Sequence, residues 1–465
     1  MLQNFFRIIL ALLIGIFSAN SYASFAATLK TIEESSFEEL TIQEQHLAYS
    51  PDSILYLEQA LWEKYTMRAI EDSLRKEEHD NRALSFGDKV MRFSLDKIGE
   101  KPSQGYPVYI ALHGGGSAPE WLNDSQWNHM KIYYKNSVTT GIYIAPRGIT
   151  NTWDLHFVEE SYALYDRLIE NLIVYEGADP NRIYLLGFSA GGDGVYHITP
   201  KMPDRWAAAN MSAGHHNWVA FDNLMQTPFL MQMGERDFAY ERNKVAAENF
   251  RTLQNFQASY GAYTHDLFLH AGGSHNSWRD NRQDGSLQSI IADPVAWLEQ
   301  NNQATIQKNT NAVHWLNTHT RKTIPRELIW DLKTFAPRPQ SFGANYATNS
   351  SHIQQTKDLF YWLSVDETTT REHGRIHVRF NPENNEIEVL EITQLNQISF
   401  LLHREMIDFS RPLTVNVMGQ AIGRMQLKPQ LDVMTRTLLA RGDPNFLFHG
   451  KITIKKDEDS QWTVL

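Results

Sequence analysis

The chain has no cysteine. That excludes disulfides, cysteine-ligated zinc, a thiol nucleophile and a lipid-anchored cysteine. It also has no long run of lysine or arginine, and its formal net charge is −11. A nucleic-acid-binding surface needs a basic patch, so no nucleic-acid partner is expected. No internal repeat and no low-complexity linker interrupts the sequence. No apolar run reaches the roughly 20 residues of a membrane span. The longest, Ile8 to Phe17, follows Arg7 and precedes the small residues of Ser21-Tyr22-Ala23. A short apolar core followed by a small-residue site has the form of a signal peptide. Residues 1–23 are therefore expected to be removed, leaving an exported chain, periplasmic or secreted, that starts near Ser24 and has no stable membrane span. Without disulfides such a chain depends on its cores. Its 465 residues, 42% of them hydrophobic and 12% aromatic, permit several.

What is present divides into three patterns. Residues 24–85 read as a helical extension, with an apolar helical face at Ser53 to Leu57 and Ala60 to Trp62. From 86 to 325 strands alternate with helices. Strand-like runs lie at Val90–Leu95, Val108–Leu112, Ile142–Ala145, Ile183–Leu186, Ala207–Met211, Phe229–Met233 and Leu267–Leu269. Helical runs lie at Glu159–Tyr175 and over 240–258, and a last helix is expected around Trp297 and Leu298. This alternation implies a mostly parallel sheet with helices on both faces. Residues 326–465 read as a β-rich domain. There Arg375–Phe380 pairs with Glu386–Leu390 and Leu413–Val417 with Ile422–Leu427, and the expected form is a small antiparallel β-sandwich.

The chemistry is concentrated at the ends of the middle strands, where ligands of such sheets bind. Gly187-Phe188-Ser189-Ala190-Gly191 is a G-x-S-x-G turn between a strand and a helix. Such a turn strains the serine backbone and lifts its hydroxyl above the sheet edge. A serine nucleophile needs a base, an orienter for that base, and donors for an oxyanion. His275, in Gly272-Gly273-Ser274-His275, is the expected base; His270, at its strand end, is the rival. Asp237, in Gly234-Glu235-Arg236-Asp237, is the expected orienter, with Glu235 as its rival. His113-Gly114-Gly115-Gly116 follows a strand and can aim backbone N–H groups at an oxyanion. Gly115, Gly116 and Ala190 are the expected donors. The Lys-Ser/Thr of a phosphate-binding loop is missing here. Trp121, Trp127, Trp153, Trp218 and Trp278 lie in loops that could line a pocket, and Trp153 is taken as a substrate contact. His215-His216 has no matching acid cluster, so no metal is expected, and no cofactor either. Asp193 is expected to cap or bridge locally.

The block from about 105 to 300 resembles the α/β-hydrolase superfamily. The matching residues are His113 to Gly116, Ala145-Pro146-Arg147, Asp179 to Arg182, Gly187 to Asp193 and Gly234 to Asp237. The likeness lies near bacterial carboxylesterases and polyhydroxybutyrate-depolymerase-like or prolyl-oligopeptidase-like serine hydrolases. Asn151 to Asp154, Asp193 to Tyr196 and Arg242 to Ala246 are similar to an exported branch that often carries a C-terminal β domain. The resemblance implies an α/β-hydrolase fold and a Ser-Asp-His order of site residues. The expected reaction is hydrolysis of a small-molecule or polymer ester through an acyl-enzyme. The alternatives are a peptidase of prolyl-oligopeptidase type, an acyltransferase, or a non-catalytic binding protein on the same fold.

Overall fold

The computed structural model describes residues 19–42, 45–47, 51–270, 272–276, 289–291, 305–307, 311–333, 358–366 and 374–465. The Ile8 to Phe17 run, Trp278, Trp297 and Leu298 lie outside them. Contacts divide the chain into two compact units. One comprises Glu78–Lys322 with Asp331–Lys357; the other comprises Met1–Glu77, Thr323–Trp330 and Asp358–Leu465. Among the described residues four helices come first: α1 (Ala19–Glu34), α2 (Phe37–Ile42), α3 (Pro51–Glu71) and α4 (Ser73–Asp80). Among the described residues no helix is long and apolar enough to cross a membrane.

The first unit is built on a ten-stranded sheet. Its strands are β1 (Ala83–Phe86), β2 (Lys89–Ile98), β3 (Tyr106–Leu112), β4 (Gly141–Pro146), β5 (Ala178–Phe188), β6 (Ala208–Ser212), β7 (Phe229–Gly234), β8 (His265–His270), β9 (Ser289–Ile291) and β10 (Thr305–Gln307). The order is β1-β2-β4-β3-β5-β6-β7-β8-β9-β10. The strands from β4 to β8 in that order are parallel, and the flanking pairs are antiparallel. This is the α/β-hydrolase arrangement. Every residue of β4, β6 and β7 is buried, as a sheet covered on both faces requires. The intervening helices are α5 (Glu120–Tyr133), α6 (Glu159–Asn171), α7 (Ala190–Lys201), α8 (Arg242–Tyr260) and α9 (Ala312–Leu316). In α6, Leu164 and Leu168 are buried at a spacing of four, together with Tyr165 and Ile169. Asp179-Pro180-Asn181, whose composition suits a turn, is instead the start of β5. The Asp179 carboxylate accepts the Asn181 N–H (2.9 Å) and so satisfies the local backbone within the strand.

The second unit holds two five-stranded sheets. One contains β11 (Glu327–Asp331), β14 (Arg375–Asn381), β15 (Glu386–Thr393), β17 (Leu413–Val417) and β18 (Gln420–Met425). The other contains β12 (Leu359–Phe360), β13 (Leu363–Ser364), β16 (Gln397–Leu402), β19 (Gly450–Lys456) and β20 (Trp462–Val464). Both expected hairpins form. Trp362 joins the sheets, with its ring 5.9 Å from Phe380 and 6.2 Å from Phe400. One pairing departs from the antiparallel expectation, because β15 and β17 run parallel. The chain between them crosses to the other sheet as β16, and a crossover returns it in the same direction. Helix α10 (Leu431–Arg441) packs beside α2, where the Arg436 guanidinium donates to the Thr41 carbonyl (2.7 Å). The N-terminal helices therefore share a unit with the C-terminal sheets.

Candidate active site

Ser189 sits between β5 and α7 with φ 58° and ψ −121°. A non-glycine residue in that region costs about 1–3 kcal/mol and persists only where its surroundings enforce it. Here the Ser189 N–H donates to the Ser212 carbonyl on β6 (2.9 Å), and the Ser189 carbonyl accepts the Asp193 N–H (3.0 Å). The flanking glycines are sterically required. A Cβ on Gly187 would lie 2.1 Å from the Gly191 carbonyl oxygen, and one on Gly191 would lie 2.1 Å from that of Leu112.

Asp237 and His275 are brought to this turn from the ends of β7 and β8. His275 Nε2 lies 3.0 Å from Ser189 Oγ, and its Nδ1 lies 2.7 Å from Asp237 Oδ2. The Asp237 side chain is 1% exposed and that of His275 is 28% exposed, so the imidazole can reach solvent while the carboxylate cannot. The two loops are joined through their backbones. The Arg236 N–H donates to the Gly273 carbonyl (2.7 Å) and the Glu235 N–H to the His270 carbonyl (3.0 Å). Glu235, the rival acid, is engaged elsewhere: its carboxylate accepts the Gly272 N–H (2.6 Å) and so ties down the loop that carries His275. His270, the rival base, is buried against Gln232 Oε1 (2.9 Å). Burial pushes its imidazole down to about 3.

The glycine loop lies against the serine. A Cβ on Gly114 would be 3.3 Å from Ser189 Cβ. Gly115 and Gly116 have φ of +112° and +79°, and a Cβ on Gly115 would meet Asn123 Oδ1 at 2.3 Å. That same oxygen accepts the Gly116 N–H (2.9 Å). The Gly116 N–H, expected as an oxyanion donor, is thus directed at a side chain. Ala190 is the first residue of α7, where a helix has no acceptor of its own for the N–H.

Asn123 is fully buried and reaches further through its Nδ2, which donates to the Ala118 carbonyl and to Asn151 Oδ1 (both 3.0 Å). Arg147 braces Asn151 (2.5 Å) and Asp124 (2.7 Å). Below the loop, His113 Nε2 accepts the Gly148 N–H (3.0 Å), so its Nδ1–H is the donor to the Gly114 carbonyl (2.6 Å). Burial and the nearby His156 hold His113 neutral.

Trp153 lies beside the glycine loop, its Cα 3.1 Å from where a Gly116 Cβ would be. Its ring packs edge-on against Phe157 (5.1 Å). Trp127 is a packing residue, donating to the Ala145 carbonyl (2.8 Å) beneath Lys131. Trp218 is buried against His216, whereas Trp121 is 71% exposed. Burial pushes His215 down to about 4 and His216 well below its usual range.

The sequence reading missed Asn123 and Ser212 altogether. Asparagine and serine carry no periodic or motif signal that says where their side chains or carbonyls point. Among the described residues, the group spaced like metal ligands is Glu58, His403 and His449, whose candidate ligand atoms lie within 4.8 Å of one another. It does not fit a cation. His449 Nδ1 accepts the Arg404 N–H and His403 Nδ1 accepts the Glu405 N–H (both 3.2 Å), which leaves both Nε2 atoms protonated. The Arg404 guanidinium already lies on Glu58 Oε1 (3.0 Å).

No protein-family profile matches the chain. A curated relative, feruloyl esterase B of Thermothelomyces thermophilus, is 25% identical over 158 residues, covering 31% of this chain and 52% of the relative. The chain thus spans about half the length of the curated relative it matches. Similar solved structures include a thermostable esterase with 22% identity, covering 51% of this chain and 62% of that one, with a TM-score of 0.36. A poly(3-hydroxybutyrate) depolymerase from Bordetella parapertussis has 17% identity, covers 41% and 80% respectively, and gives a TM-score of 0.34. An S-formylglutathione hydrolase from Agrobacterium tumefaciens has 16% identity, covers 42% and 87%, and gives 0.32. At these scores the fold rests on the strand order and serine turn of this chain itself.

Proposed function

We propose that this protein is an esterase-type serine hydrolase that cleaves a carboxylic ester, of a small molecule or a polymer, through an acyl-enzyme. The observation that carries the reading is the continuous hydrogen-bonded chain from Ser189 Oγ through His275 to the buried Asp237, ending on a strained serine turn. In this mechanism His275 Nε2 takes the Ser189 proton as the hydroxyl attacks the carbonyl carbon. The Asp237 carboxylate holds the tautomer with Nδ1–H and stabilises the imidazolium. The Gly115 and Ala190 N–H groups receive the oxyanion, a contribution of about two to three orders of magnitude per donor in related chemistry. His275 then protonates the leaving alcohol. Water, deprotonated by the same imidazole, releases the acid and restores Ser189. No step needs a cofactor. The feruloyl esterase relative supports an ester over a peptide substrate. The Arg7 to Ala23 segment supports export of the mature chain.

A fluorophosphonate probe should label the native protein and leave Ser189→Ala unlabelled. Equal labelling of both would overturn the assignment of the nucleophile. p-Nitrophenyl esters of rising acyl length, run beside aminoacyl-nitroanilides, test the bond cleaved. Turnover of the anilides alone would replace the ester reading with the peptidase one. N-terminal sequencing of protein recovered from outside the cytoplasm tests export, with Ser24 the expected first residue.

A further inference from the structure

One buried imidazole near the serine turn has no part in the mechanism above. His156 lies in the loop between β4 and α6 and is 1% exposed. That loop is folded back on itself: the Ile149 N–H donates to the Leu155 carbonyl (2.9 Å) and the Phe157 N–H to the Asp154 carbonyl (2.7 Å). His156 Nε2 lies 2.9 Å from the His113 carbonyl oxygen. A carbonyl only accepts, so Nε2 carries the proton and donates it. Burial pushes this imidazole down to about 4, which keeps it neutral near pH 7. Its Nδ1 is buried with no partner among the described residues.

Two successive peptide groups of the glycine loop are therefore held by imidazoles. His156 holds the His113 carbonyl, and His113 Nδ1–H holds the Gly114 carbonyl (2.6 Å). A trans peptide is planar, with its N–H opposed to its C=O, so fixing a carbonyl fixes the direction of the next N–H. The N–H groups fixed in this way are those of Gly114 and Gly115. The two rings also meet edge-on, with centroids 4.6 Å apart at 72°, so His156 steadies the imidazole that sets the Gly115 N–H. The Ala190 N–H is reached from the other side. Gly194, one turn into α7, lets that helix lie against His156. A Cβ on Gly194 would be 3.0 Å from His156 Cβ and 2.9 Å from Leu112 Cδ1. His156 thus lies against both the loop that carries Gly115 and the helix that carries Ala190. We propose that His156 is a positioning residue that aims the Gly115 N–H and sets its spacing from the Ala190 N–H, and so governs how tightly the site holds an oxyanion. This rests on the hydrolase reading above.

The test compares the native protein with His156→Leu, His156→Gln and Gly194→Ala on p-nitrophenyl acetate. Rates are normalised to active sites titrated to completion with a fluorophosphonate, so a partly folded variant is still read. Trifluoroacetophenone is the second probe, because addition of Ser189 Oγ to its carbonyl carbon leaves a bound oxyanion. Leucine removes the donor, whereas glutamine can place an amide N–H near the same point. His156→Leu should lower kcat by about one to two orders of magnitude, the cost of a misplaced group. Its KM should stay within about threefold, and the ketone should bind more weakly by a factor like that lost from kcat. His156→Gln should recover most of both losses. Gly194→Ala, which pushes helix and imidazole apart, should show smaller losses of the same kind. A His156→Leu protein with kcat within about threefold of native, a loss in KM alone, unchanged ketone affinity, or glutamine no better than leucine would each overturn the proposal. A merely structural role would lower the melting temperature and leave the per-site kcat and the ketone affinity unmoved. Native protein that fails to turn over the ester, or activity that survives Ser189→Ala, would overturn the hydrolase reading itself, which is a separate result.

Discussion

Each unit of this protein holds a carboxylate–histidine hydrogen bond of 2.7 Å, and the two have different chemical prospects. In the parallel-sheet unit it joins Asp237 to His275; in the other it joins Glu58 on α3 to His449. The difference lies in the second ring nitrogen. His275 offers its Nε2 to a serine hydroxyl and is partly exposed. His449 is fully buried, and its Nδ1 is occupied by the Arg404 N–H. Glu58 is also committed. Burial raises its carboxyl, but His449 and Arg404 outweigh that and hold it below the ordinary value. An acid beside a histidine is therefore a catalytic signal only when the far nitrogen is free to exchange a proton with something else.

The comparison can be broken most directly at the serine. Ser189→Ala should lower kcat/KM on p-nitrophenyl esters by about five orders of magnitude or more, as removal of a nucleophile does in comparable sites, with little change in melting temperature. Asp237→Asn should cost about four orders of magnitude, because the amide favours the wrong tautomer. Glu58→Gln, the matching change in the other pair, should leave kcat/KM within about threefold. Gly115→Ala should cost about two orders of magnitude in kcat. It forces a side chain onto Asn123 at a position with φ +112° and so displaces an oxyanion donor.

Stability should show the reverse ranking. Glu58→Gln leaves the Arg404 charge without its half-buried partner and should lower the unfolding free energy by about 1 kcal/mol, measured by denaturant titration. The last prediction concerns acid. His156 and His215 are pushed down to about 4 and His270 to about 3, all by burial, against an ordinary value of 6.5. Depressed native values mean that the unfolded chain binds more protons below pH 6.5. Stability is thus intact above that pH and is lost as pH falls towards 3–4. Scanning fluorimetry should show the melting temperature falling steadily from pH 7 to pH 4.5. A flat profile would show that these imidazoles are not held neutral.

Much of the parallel-sheet unit was legible because its signals are local. The buried strands are short apolar runs, and Ser189, Asp237 and His275 each follow one with glycines nearby. The use of the Gly116 N–H was not legible. It depends on Asn123, seven residues on and on another element, and the motif gives no hint of where that side chain points. Which of Asp237 and Glu235 meets His275 depends on where the loop from β8 lands, which brings Gly272 to Glu235 and His275 to Asp237. In the other unit, hairpins were legible from alternation and turn residues. The parallel pairing of β15 with β17 was not, because it is decided by which sheet β16 joins. The grouping of the N-terminal helices with the C-terminal sheets rests on contacts such as Glu58 with Arg404, 346 residues apart, for which one sequence carries no signal.

The backbone bonds that join the Glu235–Arg236 loop to His270 and Gly273 also give the protein a built-in folding reporter. His275 meets Ser189 across 86 residues, and it can do so only after β8 has paired with β7 and the two loops have locked. Reactivity towards a serine-directed probe during refolding should therefore appear late, in step with closure of that side of the sheet. Bulk secondary structure, which the local strands and helices supply, should return earlier.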